Sequence, residues 1–377
     1  MAGADAPLKI LHVFRSPVGG LFRHVVDLTE GQSARGHQIG LITDSLTGGA
    51  RADATLANLA NRCALGITRI PMSRHIGPGD VAAVLHTSRR IAQVKPDVVH
   101  GHGAKGAAYA RLATKGHAIA VYTPHGGSLH YRPQSPIGLL YITIEKFLRS
   151  RTDLFLFESD FAEQSFRQLI GDPKAMVRVV RNGVGEAEFA EVPLAADNTD
   201  LLFIGELRDI KGIDVLLDAL AALRAAGTFL TATIVGDGPD RQAIHDRTAR
   251  LGLADAVRFK APMPARQAFA LGRLVVVPSR KESLPYIVLE IAAAGKPLVA
   301  TRVGGIPEIF GPQSNLLIQP GNSAALADSL KNCVNHSETM AANAALLRER
   351  IRTSFALQDM VENGISAYRA AMAASKS

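Results

Sequence analysis

The sequence predicts an α/β chain made of two parallel-sheet halves, and three observations carry that expectation. Short apolar strands alternate with amphipathic helices along the whole length. The same order of strand, loop and helix restarts near residue 201. The length of 377 residues is long for one hydrophobic core and suits two.

LKILHVF (8–14) reads as a buried first strand, because its apolar residues run almost without alternation. RSPVGG follows as a glycine loop, LFRHVVDLTEGQSARG as an amphipathic helix and HQIGLIT as the next strand, which makes a βαβ opening. PDVVHGHG, AVYTPHGG and DLFLFES continue the series as short apolar strands, each with His, Gly or Ser at its carboxyl end. Ligand crevices of open parallel sheets lie at such ends. The second half begins with the strand LLFIGEL, the loop RDIKG and the helix IDVLLDALAALRAAG, followed by the strand and turn LTATIVGDGP. Both halves are Rossmann-like. The expected organisation is an N-terminal domain over 1–185, a weakly periodic linker EAEFAEVPLAADNTD over 186–200, and a C-terminal domain over 201–355. Within 356–377, LQDMVENGISAYRAAM forms a last helix that follows completion of the second sheet and is expected to pack back on the N-terminal domain.

Cys63 and Cys333 lie in different halves and form neither a disulfide framework nor a metal-ligand pair, which fits a reducing cytoplasm. MAGADAPLKILHVF lacks a basic region leading into a long apolar stretch, and no run of eighteen apolar residues occurs. Neither a secretory signal of this kind nor a membrane span is expected. The net charge of +8 is uneven: residues 1–185 hold 22 Lys and Arg against 13 Asp and Glu, whereas 186–377 hold 20 against 21. There is no Lys/Arg run of five, no basic stretch interleaved with aromatics and no Cys/His finger spacing. Nucleic acid is therefore not the expected partner, and an anionic membrane surface or acceptor accounts for the excess.

KESLPYIVLE (281–290) places two carboxylates eight positions apart in an otherwise apolar segment. The preceding LVVVPS reads as a buried strand, and PYIVLEIAAAGKP as a helix with Pro285 at its start and Gly295 and Pro297 at its end. Glu282 then lies on the loop entering the helix and Glu290 inside it. An unpaired buried carboxylate costs several kcal/mol, roughly, so two readings stand: Glu290 faces a wet cleft, or it pairs with a core arginine while Glu282 is merely an exposed loop charge.

These segments together resemble glycosyltransferase family 4, the retaining enzymes with the GT-B fold. The likeness runs through PVGGLFRHVVDL, TPHG, RNGV, GELRDIKG, the glutamate pair and GGIPE, nearly the whole chain. It implies two facing Rossmann-like domains with a cleft between them and a nucleotide diphosphate-sugar donor, UDP- or GDP-linked. Lys211 matches the family's phosphate-binding lysine, for which the alternative is a solvated turn lysine before Gly212. The family usually has Arg directly after the glycine of this loop; here that position is Glu206, and Arg208 stands two residues on. By resemblance, Glu290 accepts from the ribose hydroxyls and Glu282 from hydroxyls of the transferred sugar. Carboxylates are acceptor-only and suit diols. The backbone N–H groups of Ser283 and Leu284 are expected at the distal phosphate, although the family often has Gly at position 283. Gly19 and Gly20, and Gly304 and Gly305, are expected to let backbone approach the donor closely, with Glu308 either capping its helix or steadying Lys211.

His125 in TPHGG matches the family's active-site histidine; a histidine at a strand end otherwise serves as a hydrogen-bonded structural residue. His100 and His102 in HGHG could mimic metal ligands, but no third ligand is expected nearby and no Asp-x-Asp occurs. No essential metal and no cofactor are expected, since Lys, Arg and helix dipoles can hold a diphosphate.

The resemblance thus implies a hexosyltransferase-like retaining enzyme acting on a lipid-linked or saccharide acceptor. YTPHGGSLHY and ESLPYIVLEIAAAGKPLVAT look most like bacterial exopolysaccharide and lipopolysaccharide enzymes. Two alternatives share the architecture: a nucleotide-sugar 2-epimerase and a non-catalytic nucleotide-binding module. Dinucleotide chemistry is disfavoured because no Gly-x-Gly-x-x-Gly follows either first strand. SPIGLLYITIEKFLRSR (135–151) joins an apolar stretch to Lys146, Arg149 and Arg151. It reads either as a core helix or as an interfacial one with Leu139, Leu140, Ile142 and Phe147 toward lipid. The expected location is cytoplasmic, at the cytoplasmic face of the inner membrane.

Overall fold

The structure is a computed structural model that describes residues 6–127 and 134–375. Residues 128–131 of the YTPHGGSLHY stretch lie outside the described residues. The chain divides into two units: Met1–Asn182 together with Leu357–Ser377, and Gly183–Ala356.

In the first unit, seven strands form one parallel sheet: β1 (Lys9–Phe14), β2 (Gln38–Asp44), β3 (Ile67–Ile70), β4 (Val98–His102), β5 (Ile119–Thr123), β6 (Leu154–Phe157) and β7 (Met176–Val179). The order is β3-β2-β1-β4-β5-β6-β7, so the direction of strand addition reverses between β1 and β4. Every residue of β4 and β5 is buried. This explains their unalternating sequences, because helices cover both faces of an all-parallel sheet. The helix Leu357–Ala374 belongs to this unit, since Met360, Val361, Ile365 and Tyr368 fall on one face and enter its core beside Val25 and Leu28. Each fully buried aliphatic side chain there contributes about 1.5–3 kcal/mol relative to exposure.

The helix Pro136–Leu148 starts on Ser135, whose hydroxyl accepts from the Gly138 N–H, with Pro136 in the first turn. Its inner face holds Ile142, Glu145 and Leu148. Arg111 forks onto Glu145 at 2.9 and 3.2 Å, and the Tyr122 hydroxyl donates to the same carboxylate at 3.0 Å. Ile137, Leu139, Leu140 and Phe147 are left exposed. Ile142 departs from the expected lipid-facing set: it packs in the core with Tyr122, Phe155 and Phe166, because it lies on the same helical face as Glu145.

The second unit holds a five-stranded parallel sheet of β8 (Thr199–Ile204), β9 (Ala232–Val235), β10 (Val257–Lys260), β11 (Gly272–Val277) and β12 (Leu298–Ala300), in the order β10-β9-β8-β11-β12. Here the reversal falls between β8 and β11. The helix Ile213–Ala225 buries Ile213, Leu216, Leu217, Leu220 and Leu223, the spacing of one helical face. Residues 186–200 lie inside this unit, where Phe189 is buried in the core with Leu289 and Ile351. Among the described residues, no helix is long and apolar enough to cross a membrane.

Candidate functional site

Open α/β sheets bind ligands beyond the carboxyl ends of the strands where strand order reverses. In each unit, the residues singled out by sequence gather at such a reversal.

In the second unit, the loops after β8 and β11 flank the reversal and are joined through side chains. Lys211 Nζ is 2.7 Å from Glu282 Oε1, which also accepts from Ser279 Oγ at 2.7 Å. Glu282 is only 8% exposed, so its charge needs these partners. Arg208 Nη1 lies 3.6 Å from Glu206 Oε2, which ties the arginine to the residue occupying the family's usual arginine position. Glu290 sits in the helix Tyr286–Ala293 and is partly exposed, whereas its neighbours Val288, Leu289 and Ile291 are fully buried. Leu284 is a core residue and Ser283 is partly exposed at the entry to this helix.

Two glycines make this junction possible. Gly212, at φ +67°, brings backbone so close to Pro278 that a Cβ would stand 2.1 Å from its carbonyl oxygen. Gly304, at φ +58°, does the same against the Glu282 carbonyl oxygen, also at 2.1 Å. At Gly304 the close approach is to the protein's own glutamate loop. The neighbouring Gly305 N–H donates to the Ser283 carbonyl at 2.5 Å, so the GGIPE loop clamps the loop that carries Glu282. Lys211 is steadied by Glu282.

Sequence reasoning missed the brace behind this junction. Arg280 forks onto Asp214 at 2.7 and 2.6 Å and donates to the Asp209 carbonyl at 2.7 Å, and its backbone N–H donates to the Ile210 carbonyl at 2.8 Å. Burial alone would raise the Asp214 pKa, but the Arg280 fork outweighs it and holds the carboxyl below its ordinary value. No spacing along the chain marked it, because its partners lie 66 and 71 positions away.

In the first unit, the reversal between β1 and β4 is filled by histidines. His12 on β1 stands in register with His100 on β4, and His102 with Thr123 on β5. The helix Gly19–Ala34, opened by Gly19 and Gly20, carries His24 and Gln32 onto them. His125 follows β5 in the left-handed region at φ 51°, uncommon outside glycine. Its ring stacks edge-on against His24 at 4.6 Å between centroids. His12 bonds His102 at 2.9 Å and Gln32 at 2.9 Å; His102 bonds His125 at 3.1 Å. His100 bonds the Tyr368 hydroxyl at 2.7 Å and the Thr123 hydroxyl at 2.8 Å, and His24 bonds Asn182 at 2.9 Å. Burial keeps these rings neutral: it lowers the His12 pKa to about 4 and that of His24 to about 3, and holds His100, His102 and His125 well below the ordinary value.

This cluster overturns the statement that His100 and His102 have no third ligand nearby. His12 joins them, and His24 and His125 join His102, with nitrogens within 4.8 Å in each trio. Residues distant in sequence supply them, so spacing along the chain gave no signal. The ring nitrogens of His12, His100 and His102 are, however, each already spent on a hydrogen bond. That first trio is arranged as a hydrogen-bonded network.

Known proteins agree with this layout. The profile of Glycosyltransferase Family 4 matches residues 18–188, and that of Glycosyl transferases group 1 matches 198–336. Glycogen synthase of Mycobacterium tuberculosis is 24% identical over 383 residues, spanning 94% of this chain and 92% of that protein. Sucrose-phosphate synthase of Thermosynechococcus elongatus superimposes with a TM-score of 0.81 at 18% identity, over 98% of this chain and all of that one. Anabaena HepE, solved with UDP-glucose, gives 0.77 at 20% identity over 96% of this chain and all of its own. The two parallel-sheet units are those of the GT-B fold. Because the two profiles follow one another along the chain, one on each sheet, the protein belongs to glycosyltransferase family 4.

Proposed function

We propose that this glycosyltransferase moves a sugar, with retention of configuration, from a UDP- or GDP-linked donor to an acceptor hydroxyl. The observation that carries the reading is the Lys211–Glu282 pair at the strand-order reversal of the second sheet. Lys211 and Arg208 supply cationic charge to the leaving diphosphate, with the backbone N–H groups of Ser283 and Leu284 beside them. Glu282 spends one oxygen on Lys211 and Ser279, and a carboxylate's remaining acceptor capacity serves hydroxyls of the transferred sugar. Glu290 takes the ribose hydroxyls. His125, Gly19, Gly20 and Gly305 complete the donor surroundings. The departing diphosphate oxygen takes the acceptor proton, so the reaction needs no protein base.

No essential metal enters this scheme, since fixed cations and backbone dipoles offset the diphosphate charge. Activity persisting in excess chelator is the expected outcome, and loss rescued by Mg²⁺ or Mn²⁺ would overturn it. The donor class is tested by thermal shift with UDP- and GDP-sugars, because a donor that binds only the folded state raises the melting temperature. No stabilisation by any of them would sink the reading. Conversion of a donor without acceptor would favour the 2-epimerase.

The acceptor is proposed to be lipid-linked and met at an anionic membrane surface. Ile137, Leu139, Leu140 and Phe147 are exposed on one helix, with Lys146, Arg149 and Arg151 at its end. The surplus of basic residues over 1–185 has the matching sign. Sedimentation should show binding that rises with anionic lipid and falls with salt. Equal binding to neutral vesicles, or none to either, would point to a soluble saccharide acceptor in cell-surface polysaccharide synthesis.

A further inference from the structure

Gln32 is fully buried and has two chemically different ends. Its Oε1 is 2.9 Å from His12 Nε2, and its Nε2 is 3.5 Å from the Tyr368 hydroxyl. The structure turns the amide nitrogen toward Tyr368, at a distance too long for more than a weak bond, and the amide oxygen toward His12. An acceptor there requires the proton of His12 on Nε2.

A neutral imidazole carries one N–H and one lone pair. With its proton on Nε2, His12 offers only a lone pair at Nδ1, 2.9 Å from His102 Nε2. His102 must donate there, which leaves His102 Nδ1 as an acceptor 3.1 Å from His125 Nε2. His125 must donate in turn. Three links from the amide, the proton of His125 is fixed on Nε2.

We infer that Gln32, His12 and His102 are positioning residues, a directional relay that selects the tautomer of His125 and leaves its Nδ1 as a hydrogen-bond acceptor. Neutrality of every ring is what makes each link directional, and burial supplies it. The second branch from Gln32 is consistent. Tyr368 accepts from the amide, donates to His100 Nδ1 at 2.7 Å, and leaves His100 Nε2–H to donate to Thr123 at 2.8 Å. An Nδ1 lone pair takes a hydroxyl and offers nothing to an anion. The relay therefore assigns His125 to a sugar hydroxyl rather than a phosphate oxygen, a consequence that rests on the donor-site reading above.

The test is the protonation state of the His125 ring nitrogens by long-range ¹H–¹⁵N correlation in the full chain labelled with ¹⁵N-histidine, His125 being assigned by its loss in His125→Gln. In the wild type the Nδ1 signal should be that of an unprotonated nitrogen and Nε2 that of a protonated one. Gln32→Met and His12→Phe should each shift both signals toward a mixture of tautomers. Thr123→Val, on the other branch, should leave them in place. A protonated Nδ1 in the wild type overturns the relay even if no variant folds. So does an unchanged His125 in folded Gln32→Met, or an equal shift in Thr123→Val. None of these readings requires a donor, so failure of every sugar nucleotide to bind would sink the donor assignment and leave the relay standing.

Discussion

Lys211 Nζ lies 2.7 Å from Glu282 Oε1, joining two loops 71 residues apart in sequence at the strand-order reversal of the second sheet. Lys211→Ala leaves a carboxylate that is only 8% exposed without its cation, a destabilisation of about 1–3 kcal/mol. Turnover should fall about 10²–10³-fold, as for loss of one charge-stabilising group. Denaturant unfolding and steady-state rates measure the two effects, and full turnover in the variant would remove Lys211 from the site.

Glu290→Gln keeps the shape of the side chain and replaces half its acceptor capacity with a donor. Donor affinity should weaken by about 1–3 kcal/mol while the melting temperature barely moves, because Glu290 is partly exposed. Calorimetry showing unchanged donor binding would exclude the ribose role.

Arg208 lies 3.6 Å from Glu206, so its charge is partly offset before any donor arrives. Arg208→Ala should lower turnover, and Glu206→Gln should raise donor affinity by releasing the arginine. If Arg208→Ala keeps full activity, the arginine has not taken over the family's usual position.

Gly304→Ala forces a Cβ to within 2.1 Å of the Glu282 carbonyl oxygen at φ +58°. The left-handed conformation alone costs about 1–2 kcal/mol, and the clash must displace the loop that carries Glu282. Lower thermal stability and weaker donor binding should appear together. Their independence would show that the glutamate loop yields without moving Lys211.

Acid should unfold this protein through its first unit. Burial lowers the folded pKa of His12 to about 4 and of His24 to about 3, against 6.5 when exposed. Below 6.5 the unfolded chain binds protons that the folded one refuses, so stability falls as pH drops from 6.5 toward 4, by about 1.4 kcal/mol per pH unit for each such ring. Above 6.5 this penalty is absent. A melting temperature that stays level between pH 7 and pH 4.5 would contradict the burial of neutral rings.

The sequence by itself determined the strands that lie inside the sheets. LKILHVF, DLFLFES and LVVVPS are legible because a strand covered on both faces must be apolar throughout. The edge strands Ile67–Ile70, Met176–Val179 and Val257–Lys260 went unread, since each is four residues long and carries an arginine on a less buried face. Of the site, GELRDIKG, the glutamate pair and GGIPE were legible because their spacing follows local loop and helix geometry. Only the tertiary structure decided that Lys211 meets Glu282, that Arg280 braces them through Asp214, and that Gln32 and Tyr368 sit on the histidines of β1 and β4. Those contacts join residues from 66 to 336 positions apart. They depend on which strands become neighbours in the sheet, a choice made by collective burial and one that no local pattern encodes.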